Sequence, residues 1–131
     1  MKRYLLDTHA LVFWSLGQHL SPRFASRLDR LCQAGRLAVS AVSFWEIALL
    51  VQKGRLALDD VAAWKDEIVA ASGLNVLTPD ADVMIASTRL PPLHKDPMDR
   101  LILAHALAAG AVLITRDATL CRYDAPTLWL D

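Results

Sequence analysis

The sequence predicts an α/β fold: a parallel sheet covered by helices on both faces. Two observations predict it. Short apolar runs such as Tyr4-Leu5-Leu6 and Ala111 to Ile114 alternate with longer helical stretches. That alternation of strand and helix calls for parallel strands with helices on either side. In addition, Asp7, Glu46, Asp99 and Asp117 each follow an apolar run or lie in the first turn of a predicted helix. Ligands of an open parallel sheet bind beyond the carboxyl ends of its strands.

Tyr4-Leu5-Leu6 reads as a buried strand ending at Asp7. Ala10 to Leu16 is almost wholly apolar and stops at Gly17. Ser21-Pro22 starts a helix, with a capping residue and then proline at the first helical position. It should reach Ala34 and close at Gly35, before a second strand at Leu37 to Val39. Ser43 is expected to open the next helix, which ends near Lys53. Asp59 or Asp60 caps another, with Val61, Trp64, Ile68 and Val69 on one face and Gly73 at its end. Asn75 to Leu77 is the third strand, and Asp80 caps a helix through Arg89. Pro91-Pro92 forces a loop, so Leu90 to Lys95 is the candidate lid or hinge. Asp96-Pro97 starts a helix to Ala109. Ala111 to Ile114 is the fourth strand, Asp117 caps a short turn, and Thr127 to Trp129 is a weak last strand.

The 131 residues fit one domain, residues 1–131, with a substantial core. Apolar residues make up 54% of the chain, so either the core is dense or apolar surface is kept for a partner; we expect both. Fourteen basic residues balance fourteen acidic ones, so global charge gives no support to nucleic-acid binding, although a local basic rim is invisible in a sum. Cys32 and Cys121 lack metal spacing and read as small buried hydrophobes of a cytoplasmic protein. Met-Lys-Arg before an apolar stretch mimics an export signal, but Asp7 and His9 interrupt it, and export is not expected. No window approaches the roughly 20 apolar residues of a membrane span.

Clustered carboxylates repel one another, and a shared pocket needs a cation. Asp7, Glu46, Asp99 and Asp117 therefore point to an oxygen-ligated divalent metal site. Oxygen donors suit Mg2+ or Mn2+ rather than zinc or copper. The chemistry of such a site is phosphoryl or phosphodiester hydrolysis by a metal-activated water. Each acid also has a plainer reading. Ser43-Phe44-Trp45-Glu46 has the form of a capping box. Asp96 and Asp99 suit the helix dipole, and Asp117 a last turn. Asp7 is the hardest to explain structurally, because a charge between an apolar strand and an apolar helix wants a partner.

The stretches Leu5 to Leu11, Ser40 to Ala48, Asp96 to Ala104 and Leu113 to Asp117 together resemble the PIN-domain family, and within it the VapC-type toxins of type II toxin–antitoxin pairs. The resemblance spans nearly the whole chain, in the family's order. It implies a three-layer PIN-like fold, with a central parallel sheet of about five strands between helices. It also implies a Mg2+- or Mn2+-dependent endoribonuclease. Asp7, Glu46 and Asp99 match the family's acidic triad, Asp117 its frequent fourth acid, and Thr115 a nearby hydroxyl. Asp96 stands as a supporting group behind them.

The resemblance further implies a cognate antitoxin in an apolar groove, a homodimer, and a structured RNA as substrate; the lack of a long basic element fits recognition of a single-stranded loop better than of a duplex. Phe13, Trp14, Phe44, Trp45 and Trp64 could line the groove or simply fill the core. Lys95, Arg100 and Arg116 flank the acidic motifs and could meet phosphates, and His9 and His94 lie nearby. The alternatives are a receiver-like binding module with a phosphoacceptor aspartate, a phosphatase of DxD type and a PIN fold acting on DNA. A receiver lacks its paired acid here, and Asp7-Thr8-His9 puts histidine at the second position of the DxD motif.

Overall fold

The computed structural model describes residues 1–130. Five parallel strands form one sheet: β1 (Arg3–Leu6), β2 (Leu37–Ser40), β3 (Asn75–Leu77), β4 (Ala111–Ile114) and β5 (Thr127–Leu128). Their order is β3-β2-β1-β4-β5, so the chain builds outward from β1 on one side and then resumes on the other. The strand order reverses between β1 and β4, where Leu6 pairs with Ile114. A crevice opens at such a reversal, just beyond the strand ends.

Helices α1 (Thr8–Leu16), α2 (Pro22–Gln33), α3 (Ala41–Gln52), α4 (Val61–Ser72), α5 (Ala81–Thr88) and α6 (Pro97–Ala108) complete the three layers. Alternate strand residues serve opposite faces. Tyr4, Leu6, Val39 and Ile114 join Leu11, Phe24 and Leu28 in one core, while Leu5, Leu113 and Ile102 build the other. Short strands buried on both faces must be apolar throughout, which explains the run Ala111 to Ile114. None of the helices is long and apolar enough to cross a membrane.

The helix starts are fixed by side chains. Ser21 accepts from the Phe24 amide at 3.1 Å, Asp60 from Ala63 at 3.0 Å and Asp80 from Val83 at 2.9 Å. Each relieves an amide that the helix itself leaves unbonded. Ser43 does not open α3. The cap is Ser40, whose hydroxyl accepts from Val42, and Ser43 is buried within the first turn, where it accepts from the Thr8 hydroxyl at 3.0 Å. The capping-box reading of Ser43 and Glu46 therefore falls. Cys121 also departs from expectation, lying exposed, whereas Cys32 is buried.

The loop from Leu90 to Lys95 is pinned. Arg100 donates to the carbonyls of Ser87, Leu90 and Pro91, each at 3.0 Å, and reaches the carbonyl of His94 at 3.3 Å. The Tyr123 hydroxyl donates to Pro91 O at 2.7 Å and accepts from the His94 amide at 2.9 Å. The Arg100 guanidinium is thus engaged by backbone carbonyls, where the sequence suggested a phosphate contact.

Leu113 is fully buried in the interior strand β4. Leu113→Ala should lower unfolding free energy by about 2–5 kcal/mol, checked by urea denaturation.

Candidate functional site

The carboxylates converge at the carboxyl end of the sheet. Asp7 follows β1, and its amide donates to Ile114 O at 3.0 Å, tying the ends of β1 and β4 together. Its Oδ1 caps α1 by accepting from the Ala10 amide at 2.8 Å. Asp117 follows β4, and its Oδ1 accepts from the amides of Thr119 at 2.8 Å and Leu120 at 3.0 Å. The Thr115 hydroxyl accepts from the Asp117 amide at 3.1 Å and so shapes the turn. Asp96 caps α6 through Met98 N at 2.9 Å, and Asp99 lies in the first turn of that helix. Glu46 comes from the second turn of α3.

Capping thus engages one oxygen of Asp7, Asp96 and Asp117. In Asp117 the other oxygen points at the Nε2 of His94, 3.4 Å away, while Asp99 Oδ2 approaches the same nitrogen at 3.1 Å. The Asp96 amide donates to His94 Nδ1 at 3.1 Å, which leaves Nε2 carrying the ring's hydrogen toward the two acids. His94 is therefore at the centre of the cluster, a place that spacing in the sequence did not give it. Its signal was weak: a histidine two residues before a helix cap, in a loop that arginine and tyrosine hold rigid.

Two overlapping donor sets result. His94, Asp99 and Asp117 each offer one atom within 4.8 Å of the others, and so do Glu46, Asp96 and Asp99. Asp99 belongs to both. Asp7 lies outside these two sets but adjoins Asp117, whose charge acts on it. Together they line a cleft of about 260 Å³ with His9, Phe13, Arg116 and Trp129. The predicted carboxylates are thus brought together as a row, from Asp7 through Asp117 and Asp99 to Glu46.

The row is electrostatically strained. Burial, then the neighbouring charges of Asp96 and Glu46, push the Asp99 carboxyl up to about 7. Burial also raises Asp7, against the pull of the Thr115 side chain and the Ala10 amide. Burial pushes Asp117 up as well, but the Leu120 amide and His94 outweigh it and hold the group below its usual range. Glu46 Oε1 is buried without a hydrogen-bond partner among the described residues. An orphaned buried carboxylate oxygen beside two further carboxylates is what a cation site looks like before its cation. A divalent ion fits the carboxylate oxygens of this set, while His94 Nε2–H donates to two of them.

The rim is mixed. Arg116 is exposed, and its guanidinium lies 4.8 Å from the Phe13 ring centre and 5.3 Å from that of Trp129. Among the aromatics proposed for a groove, Phe44 and Trp64 pack against each other, their ring centres 5.9 Å apart, and Phe13 and Trp14 are half-buried. Trp45 alone is strongly exposed, at 58%.

The chain matches the PIN domain model over residues 4–126 and belongs to the PIN domain family. It is 33% identical over 135 residues to Ribonuclease VapC22 of Mycobacterium tuberculosis (strain ATCC 25618 / H37Rv), covering 98% of this chain and 100% of that one. Its fold is that of VapBC2 from Rickettsia felis, solved bound to a promoter DNA fragment, with a TM-score of 0.76 at 20% identity and 98% of each chain covered. FitAcB from Neisseria gonorrhoeae superposes with a TM-score of 0.66 at 21% identity, covering 96% of each chain.

The strain has a measurable signature. Unfolded, Asp99 loses its proton near its ordinary value of 3.8; folded, it keeps the proton until about 7. Between those values the native state binds more protons, so this group's stabilising contribution is present below the lower value and is lost as pH rises through the upper one. Metal-free Asp99→Asn should show a flatter fall in stability from pH 5 to pH 8 than the parent, read by thermal melting across pH.

Proposed function

We propose that this chain is a divalent-metal-dependent endoribonuclease acting, as a single cytoplasmic domain, as the toxin of a toxin–antitoxin pair. The observation that carries the reading is the row of four carboxylates with an orphaned Glu46 oxygen at its end. Asp7, Glu46, Asp99 and Asp117 are the proposed ligands of Mg2+ or Mn2+. A divalent ion bound there supplies acidification of water and neutralises charge on a phosphodiester.

The chain's own residues do the rest. The Asp7 and Asp117 carboxylates, each anchored by amides through one oxygen, keep the other fixed in direction. Preorganised groups of this kind need no rearrangement as charge develops. Thr115 and Asp96 hold their neighbours in place, Thr115 through the Asp117 amide and Asp96 through the start of α6. His94 Nε2–H faces both Asp99 and Asp117, and so steadies their negative charge. Arg116, held over two aromatic rings at the cleft mouth, would meet an RNA phosphate there.

The toxin role draws on the likeness to a ribonuclease by name, VapC22, and on the fold shared with VapBC2 and FitAcB. A cognate antitoxin would be the protein partner, and Trp45 is a large exposed apolar anchor for it or for a second copy in a homodimer.

Purified protein should cleave single-stranded RNA when Mg2+ or Mn2+ is added, and Asp7→Asn should lose at least about a hundredfold in rate while melting no lower than the parent. Equal activity in the two would overturn the assignment. Glu46→Gln should likewise abolish cleavage, yet leave the metal-free protein as stable or more so, since it removes a charge with no compensating partner. Circular dichroism melts with and without EDTA check this.

A further inference from the structure

A second charged feature lies away from the carboxylates. Arg23, Arg27 and Arg30 recur on one face of α2, and with Arg36, Tyr4 and Leu130 they line a groove of about 630 Å³. The adjacent face of the helix carries Phe24, Leu28 and Leu31 into the core. Burial therefore explains the helix but not its arginines. Among the described residues, Arg23, Arg27 and Arg30 form no ion pair with a carboxylate and donate no side-chain hydrogen bond. The nearby acid of α2, Asp29, is turned away, accepting from the Trp14 indole at 2.8 Å. Arg36 is partly engaged, donating to Lys2 O at 2.8 Å and lying over the Tyr4 ring at 5.7 Å. In a chain of zero formal net charge, arginines concentrated in one groove and without a carboxylate partner among the described residues amount to a local anion-binding surface.

The groove adjoins the cleft. Leu130 lines the groove, and the preceding residue, Trp129, lines the carboxylate cleft. Phe24, next to Arg23, packs edge-on against Trp129 with ring centres 5.1 Å apart. A path therefore runs from Asp7, past Arg116 on Trp129, onto α2. From Arg23 to Arg30 the helix rises roughly 10 Å. A stacked strand presents a phosphate about every 3.4 Å, so this stretch meets about three. Guanidinium forks match phosphate oxygens in a bidentate manner, and the even spacing of a nucleic-acid backbone suits their even recurrence along the helix.

We infer that the α2 groove is an exosite for the phosphate backbone of the RNA, engaging nucleotides on one side of those in the carboxylate cleft. This rests on the ribonuclease reading, and the test separates the two. The probes are fluorescein-labelled single-stranded RNAs, one of about 20 nucleotides and one a tetranucleotide that fills only the cleft. Binding is read by anisotropy in Asp7→Asn protein with Mg2+, with and without Arg23→Glu and Arg30→Glu together. Both positions are exposed, and matched melting curves check the fold. Affinity for the long RNA should fall about tenfold or more, and its log–log salt slope should shrink by about 1.4. The tetranucleotide should bind as before. Unchanged affinity for the long RNA would overturn the exosite, as would an equal loss for both lengths. So would a variant that loses an acidic protein partner while keeping RNA. Arg23→Gln with Arg30→Gln should reproduce a smaller loss without charge reversal; no loss there counts against the groove. Failure of the parent protein to cleave either RNA with Mg2+ or Mn2+ sinks the nuclease reading instead, and the anisotropy still reports on the groove.

Discussion

Mutual repulsion among carboxylates is the constraint on which the rest of this molecule depends. Asp7, Asp117, Asp99 and Glu46 sit where a folded chain would ordinarily avoid placing acids: partly or wholly buried and within reach of one another. Two devices make that tolerable. Amides at the ends of strands and the starts of helices take one oxygen of Asp7, Asp96 and Asp117. His94 turns an N–H toward Asp99 and Asp117. Neither device reaches Glu46 Oε1, and neither prevents Asp99 from holding its proton to about 7. The residual strain is the affinity for a cation, stored in the fold.

The architecture explains why the strain is confined to one edge. Strand β1 lies at the centre of the sheet, and the strand order reverses beside it. The segments leaving β1 and β4 therefore emerge together at one end, and the second turn of α3 and the first turn of α6 come to the same place. The rigid loop before α6 does the remaining positioning. Arg100 and Tyr123 fix its backbone, and the backbone fixes His94. What looks like a flexible proline loop in one dimension is a bracket for the site in three.

Acidic and basic surfaces are also kept apart. Asp7 and Asp117, at one end of the carboxylate row, line a cleft whose rim carries one arginine stacked on aromatic rings, whereas the arginines of α2 occupy the adjoining groove. Placing them in contact would have neutralised both and left neither free for a cation or for a phosphate. Segregation explains how a chain with no net charge presents two oppositely charged surfaces side by side.

Much of this was legible in one dimension. Apolar runs bounded by glycine marked strands and helices, because burial on both faces of a parallel sheet leaves no polar position to confuse the pattern. Asp7 was legible because nothing local explains an acid at the end of an apolar strand. The misreadings share one cause. Ser43 looked like a cap because a hydroxyl precedes Glu46 by three residues, but Ser40 was equally eligible, and the β2 strand end decided between them. Arg100 looked like a phosphate ligand, and Cys121 like core, for want of knowing their neighbours. The sequence by itself determined the order of elements, the apolar cores and which carboxylates stand at strand and helix ends, since these follow from local periodicity and covalent order. Only the tertiary structure decided that His94 bridges two of them, that Arg100 holds a loop and that the arginines of α2 line one groove. Those facts are distances between residues far apart along the chain, and packing alone sets such distances.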